Sequence, residues 1–203
     1  SDLRRQRQMC IRDSKYTAYA LLGKVLLYQD KFAEAASALD NVIGVYSLVS
    51  DYGSQFLRFG ENGPESVFEI QYSNQSNWYD WGCAHCSEGN YAIIMNGPRG
   101  WSGPEYAQGW SFNVPTAEFY NSFEEGDTRR DATVLDIEAF AAATGANYTE
   151  GYDHTGYFNN KYIPRAGESG GQTELNYLTN FRIIRYSDAV SYTHLTLPTK
   201  VTV

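Results

Sequence analysis

The stretch from Thr17 to Ile43 constrains the fold more than any other part of the chain. It places apolar residues at 18, 21, 22, 25 and 26, then at 32, 35, 36, 39, 42 and 43. Spacings of three and four predict two amphipathic helices broken near Asp30 and Lys31. Gly23 and Ala35 hold the small-residue positions of a tetratricopeptide-like hairpin, where facing helices need a close approach. One such unit cannot bury its own apolar face, and about three are needed for a stable stack. No second copy is visible in residues 44–190, so the partner helices are expected outside this stretch of sequence.

The two ends differ from the rest. Residues 1–14 carry four of the 16 basic residues and no apolar periodicity, and residues 191–203 break off a helical pattern. Both are expected to be translated sequence scar and are set aside for fold reasoning. They hold Arg4, Arg5, Arg7, Arg12 and Lys200 against Asp2 and Asp13, which leaves 11 basic and 22 acidic residues over 15–190, a formal charge of −11. Such a charge repels phosphate backbones and anionic membrane surfaces, so no nucleic-acid partner is expected. No stretch approaches the roughly 18–20 apolar residues that span a bilayer. Cys10, between Met9 and Ile11, is not in the setting of a lipidated cysteine. Any signal peptide or lipid anchor is expected upstream of this sequence.

Residues 15–190 are expected to form the central part of one domain: a helical hairpin over 15–46, a strand and Trp-rich loops over 47–112, and short helices and loops over 113–190. The run Val67 to Tyr72 reads as a short strand. Residues 73–112 hold all four Trp, interspersed with Gly82, Gly89, Gly97, Gly100, Gly103 and Gly109. Loops of this length are functional or disordered, and the aromatic content argues against disorder. A short helix is predicted after Asn113 as cap, with Pro115 in its first turn, a stripe at Phe119, Tyr120 and Phe123, and Gly126 at its end. Residues 180–190 read as the opening of a further helix.

Asp127, Arg129, Arg130 and Asp131 alternate in charge within five residues, a pattern suited to Arg–carboxylate bonds that pin a loop. They are assigned a structural role, as are Arg182 and Arg185 with Asp188, whose spacings of three suit neighbouring helix turns.

Neutral sugars combine apolar C–H faces with a rim of hydroxyls, so their sites pair exposed aromatic rings with amide, carboxylate or guanidinium groups. Residues 74–82 have that composition, with Trp78, Tyr79 and Trp81 beside Asn74, Gln75, Asn77 and Asp80. Residues 98–110 repeat it with Arg99, Trp101, Glu105, Tyr106, Gln108 and Trp110. The candidate carbohydrate contacts are therefore Asn77, Trp78, Tyr79, Asp80, Trp81, Trp101, Tyr106 and Trp110. For any single Trp the alternative is a local core stapling the Gly-rich segment, since Trp is highly buried on average.

Other chemistries fit less well. Cys83-Ala84-His85-Cys86 has the spacing of a thioredoxin-like redox motif, but Asn, Ser and Gly separate it from the preceding strand and Ser-Glu-Gly-Asn follows where a helix should run. Three candidate zinc ligands lie there with no second cluster to complete a tetrahedron. A local disulfide or two buried thiols is the favoured expectation. A glycosidase needs two carboxylates about 5–10 Å apart, and nothing marks a pair among Glu65, Glu69, Asp80, Glu105, Glu124 and Glu125. A peptide-binding repeat scaffold is the alternative binding class, poorly matched by one repeat with Trp-rich loops. No catalytic residue, metal site or cofactor is assigned.

Four blocks, in order, resemble the SusD-like (RagB/SusD) family. They are the hairpin ending Leu39-Asp40-Asn41-Val42-Ile43 with Tyr46-Ser47-Leu48; Glu65 to Tyr72; FEEGDTRRDAT at 123–133; and NFRIIRYSD at 180–188. The resemblance covers residues 15–190 and departs after Asp188, where a longer helix is expected. It implies a mainly α fold, with tetratricopeptide-like helix pairs against a loop-rich, aromatic-rich ligand-facing region containing short strands. It further implies a non-catalytic, surface-exposed outer-membrane lipoprotein that binds oligosaccharides for a SusC-like TonB-dependent transporter. No glycan-contacting residue is carried over by the resemblance, because those loops vary strongly among members.

Overall fold

The computed structural model describes residues 14–75, 81–170 and 175–196, without the side chains of Ala84, His85, Leu195 and Thr196. In chain order the elements are α1 (Lys15–Tyr28), α2 (Phe32–Leu39), β1 (Ser66–Ile70), α3 (Ala92–Met95), β2 (Arg99–Ser102), α4 (Ala117–Asn121), α5 (Arg129–Thr133), β3 (Val134–Asp136), α6 (Ile137–Thr144), β4 (Asn147–Thr149), β5 (Tyr157–Asn159), β6 (Phe181–Arg185) and α7 (Tyr186–Thr196). Helices with short two-stranded pairs match the expected class. These elements divide between two compact units, one built from residues up to 50, 62–70 and 181 onward, the other from 51–61 and 71–180.

In the first unit, Ser14 caps α1 by accepting a hydrogen bond from Thr17 N, and Asp30, at φ 58°, breaks the chain before α2. The hairpin closes at Gly23, where a Cβ would lie 2.5 Å from Leu39 Cγ. Only hydrogen lets α1 approach that buried leucine so closely. The large apolar residues of α1 behave otherwise. Thr17, Ala20 and Gly23 are buried, whereas Leu21, Leu22, Val25 and Tyr28 are exposed. The periodicity located the helix, but its larger stripe is not the face that packs among the described residues.

Strands β1 and β6 pair antiparallel, with Glu69 opposite Arg182 and Ile70 opposite Phe181. Val67, Ile184, Tyr186 and Ala189 join Ala20, Leu39 and Val42 in one core. The helix expected to open at 180 is thus a strand through Arg185, followed by α7. Alternation of Arg182 and Ile184, both buried, with the less buried Ile183 and Arg185 serves a strand buried on one face. The helix extends past 190 to Thr196, and Tyr192 packs on the core. Arg182 and Arg185 therefore act from a strand, not from helix turns. Arg182 Nε lies 3.7 Å from Glu69 Oε1, both side chains being almost fully buried. Arg185 Nη2 lies 3.6 Å from Asp188 Oδ1, and Asp188 Oδ2 accepts from Arg185 N at 2.8 Å.

The second unit is loop-rich. Strands β2 and β4 pair antiparallel, as do β3 and β5. One core gathers Tyr106, Leu135, Ile137, Phe158 and Ile163; another gathers Ile93, Ile94 and Tyr177. The helix expected after Asn113 starts later, at Ala117, because Thr116 is the residue that caps it, accepting from Phe119 N at 3.2 Å. Asn113 instead adopts φ 52° and donates from Nδ2 to Asn96 Oδ1. Asp136 caps α6, and Gly145, left-handed at φ 73°, ends it.

Candidate glycan-binding site

The site begins with a Gly-rich crossing that fixes two rings. Gly97, at φ 80°, turns the chain after α3. The segment 109–112 then runs back along it, through hydrogen bonds from Gly109 N to Pro98 O, Trp110 N to Ile94 O, Ser111 N to Gly97 O and Phe112 N to Met95 O, all 2.8–2.9 Å. Trp110 rests one side on the Ile93, Ile94 and Tyr177 core. Phe112 is half exposed. Arg99 secures both by donating Nε to Trp110 O at 2.8 Å, with its guanidinium 5.7 Å from the Phe112 ring.

From there the rings form a continuous ridge. Trp81 lies 5.3 Å from Trp110 with planes tilted by 33°, Tyr91 lies 6.0 Å from Trp81 edge-on, and Phe112 lies 6.4 Å from Trp110 edge-on. Trp81 and Tyr91 are each about 40% exposed. The ridge runs into an open groove of about 580 Å³ lined by Arg99, Trp110, Phe112, Asn113, Glu150 and Tyr152 among others. Tyr152 is 94% exposed, a large apolar surface left in water at the groove wall. Aromatic faces with a rim of amide, guanidinium and carboxylate groups are what a ring of C–H bonds edged by hydroxyls requires.

The structure separates the residues singled out from sequence. Trp81 and Trp110 come together on the ridge. Asn77, Trp78, Tyr79 and Asp80 lie outside the described residues. Trp101 and Tyr106 lie in a separate aromatic cluster: Trp101 packs against Tyr106 at 5.9 Å and Phe140 at 6.0 Å, and Tyr106 is buried with its hydroxyl on Asn160 Oδ1. Burial, with the Glu105 carboxylate adding to it, pushes the Tyr106 hydroxyl up to about 12. These two rings staple the Gly-rich segment to the β3–β5 core, the core-packing alternative considered for each ring. Tyr91, Phe112, Asn113, Glu150 and Tyr152 were missed. A lone aromatic in a polar run carries no periodicity, and only the fold brings 91, 110–113 and 150–152 to one surface.

Asp127 forms a two-pronged bond with Arg129, Nε to Oδ1 at 2.9 Å and Nη2 to Oδ2 at 2.5 Å, which holds the carboxyl at about 2. Arg130 Nε lies 3.0 Å from Asp131 Oδ1. Asp127 and Arg129 edge a second cavity of about 440 Å³ with Tyr52, Phe119, Phe123, Glu124 and Lys161; Asp127 and Arg129 are paired with each other, and Lys161 lies over the rings of Tyr52 and Phe56.

Cys83 and Cys86 form a disulfide within a 3-10 segment, Trp81–Cys86, kinked at Cys83. No α-helix starts on the motif, as a thioredoxin-like site would need. Among the described residues no group of three His, Cys, Asp or Glu could hold a metal, and no helix is long and apolar enough to cross a membrane.

No family model matches the chain. It is 28% identical over 192 residues to SusD-like protein P2 of Formosa agariphila, a match covering 87% of this chain and 36% of that protein. Among solved structures it superposes on a laminarin binding SusD-like protein with a TM-score of 0.82 at 36% identity, covering 90% of this chain and 43% of that one. It also superposes on surface glycan-binding protein A from Bacteroides thetaiotaomicron in complex with laminarihexaose, with a TM-score of 0.80 at 29% identity, covering 88% and 42%. The chain spans about two fifths of the length of these relatives. In sequence and in fold, the chain is similar to SusD-like proteins over about two fifths of their length.

Proposed function

We propose that this chain is the oligosaccharide-holding part of a non-catalytic cell-surface protein. A glycan lies along the Tyr91–Trp81–Trp110–Phe112 ridge and into the groove beneath Tyr152, stacking its C–H faces on the rings. Arg99, Asn113 and Glu150 meet its hydroxyls. The observation that supports this most is the ridge itself: four rings in succession, Trp110 and Phe112 held by main-chain bonds, with Trp81, Tyr91 and Phe112 exposed to solvent beside a polar groove. The named ligands of the relatives, laminarin and laminarihexaose, point to a glucan. The α1–α2 pair is one tetratricopeptide-like unit of a helical scaffold. The whole protein sits at the outer-membrane surface through a lipid anchor and passes its cargo to a SusC-like TonB-dependent transporter.

Calorimetric titration of the chain with laminarihexaose, alongside Trp110→Ala and Phe112→Ala, tests the binding. The expected result is binding that each substitution weakens about 2- to 13-fold, from a stacking contribution of about 0.5–1.5 kcal/mol per ring beyond area burial, with no sugar cleaved on long incubation. Equal affinity in all three proteins would remove the ridge as the site, and released reducing ends would point to an enzyme.

A further inference from the structure

We infer that the cavity of about 440 Å³ beside α4 is a second sugar-binding site, where a neutral glycan residue stacks on Phe119 and places its hydroxyls among Glu124, Arg129 and Lys161. The class of ligand rests on the glycan reading of the ridge. The site itself stands on separate residues, all within the second unit. Three segments are fixed around it. Asn160 N donates to Thr133 O at 2.9 Å and Asn160 Nδ2 to Asp131 O at 2.8 Å, which sets Lys161 beside the end of α5. A Cβ on Gly53 would lie 3.3 Å from Ala132 Cβ, so residues 51–56 come close to the same helix. Lys161 Nζ joins those two segments, 5.3 Å from the centre of the Tyr52 ring and 5.0 Å from that of Phe56. The third wall is the turn after α4, where Ser122 Oγ donates to Phe119 O at 2.7 Å and Asp127 N to Glu124 O at 3.1 Å.

The lining suits a neutral sugar better than an ion. Phe119 is nearly half exposed, and Phe123 backs it edge-on at 5.3 Å, so a supported ring offers apolar surface to the cavity it lines. Glu124 and Asp127 set two carboxylates against the two cations Arg129 and Lys161, which leaves no net formal charge to select an anion or a cation. A sugar hydroxyl donates to the one kind and accepts from the other. Arg129 uses Nε and Nη2 on Asp127, yet its side chain is 64% exposed, and Nη1 remains to donate to a ligand. Glu124 is exposed and its carboxylate can accept. The Asp127–Arg129 pair pins the turn, but pinning does not account for Phe119 and Glu124 lining the same space. The volume falls in the range of about 300–1,000 Å³ that small-ligand sites occupy.

The two sites differ in their reporters. Among the described residues no Trp lines this cavity, whereas Trp81 and Trp110 form the ridge. Equilibrium dialysis counts laminarihexaose bound per chain over a concentration series, and Trp fluorescence follows the ridge. The parent is expected to bind two per chain, with only one event moving the fluorescence. Phe119→Ala combined with Glu124→Ala is expected to keep the parent's fluorescence titration and to weaken the other event about 5- to 160-fold, the loss of one stacking contact and one hydrogen bond. Two events left unchanged by this paired variant, or a single event that moves the fluorescence, overturn the inference and leave the ridge reading standing. A single event that the paired variant weakens and Trp110→Ala does not supports the inference and rejects the ridge. No uptake of sugar at all rejects both. If the paired variant fails to fold, Glu124→Ala alone is read, since that residue is exposed and its loss is expected to weaken the same event about 2- to 13-fold.

Discussion

Gly109→Ala should disable the site through a single methyl group. A Cβ at this position would lie 1.8 Å from the Asn96 carbonyl oxygen and 2.7 Å from the Gly97 carbonyl carbon and oxygen, all backbone atoms with no rotamer to yield. Real Cβ atoms essentially never come within 3.0 Å, so one strand of the crossing must move by about 1.2 Å. Four main-chain bonds, from Gly109, Trp110, Ser111 and Phe112, span that crossing, each worth about 0.5–1.5 kcal/mol net. Losing two of them, or absorbing the overlap as strain of about 1–3 kcal/mol, gives an expected destabilisation of about 1–3 kcal/mol. For a chain of this length that lowers the melting point by about 2–12 °C. All four Trp fall within residues 71–180, so denaturant unfolding followed by Trp fluorescence reports on the affected unit. Because Trp110 and Phe112 ride on the displaced strand, laminarihexaose binding should fall at least 10-fold. A variant within about 0.5 kcal/mol of the parent, with unchanged affinity, would show that the crossing tolerates a side chain and that the reasoning from close approach is wrong.

The two classes of tryptophan should separate cleanly. Trp101→Ala removes a ring packed on Tyr106 and Phe140 and should cost about 3 kcal/mol, measured by denaturant midpoint, while Trp81→Ala should cost under about 1 kcal/mol and act on affinity. Equal destabilisation by both would reject the division between core and ridge. The Asp127 carboxyl, held at about 2 by Arg129, contributes a stabilisation that is present above the ordinary carboxylate range and is lost as pH falls through about 2. Carbon-detected NMR titration of that side chain should show a midpoint well below the usual carboxylate range, and an ordinary midpoint would mean the two-pronged bond does not form in solution.

What could be read in the sequence followed the strength of local signals. Helical spacing and the break at Asp30 gave α1 and α2, and Gly23 marked the contact with Leu39. The spacing did not reveal that Leu21, Leu22 and Val25 stay exposed, since periodicity locates a stripe without naming its partner. Residues 181–185 read as helix from sequence because an Arg, two Ile and an Arg suit either period over so short a run; pairing with β1, far away in sequence, makes them a strand. At the site, composition singles out Trp81 and Trp110, which the fold brings together, and also Trp101 and Tyr106, whose neighbours Phe140, Asn160 and Arg165 come from distant segments. Clustered aromatics and polar groups announce a ligand surface and a small core in the same language.

The first unit is assembled from three separated pieces of chain, with residues 71–180 placed between its two strands. A bond such as that from Gly44 N to Tyr186 Oη joins positions 142 apart, and strand β1 has no partner until β6 has been made. Loop closure over such a span is slow and must precede any reward from the contact. During synthesis the second unit is therefore complete before the first can close, and the α1–α2 hairpin emerges early with Leu39 and Val42 unshielded. β6 and α7 act last: only once Ile184, Tyr186 and Ala189 have been made can the core around Leu39 and Val42 close and the exposed intermediate end.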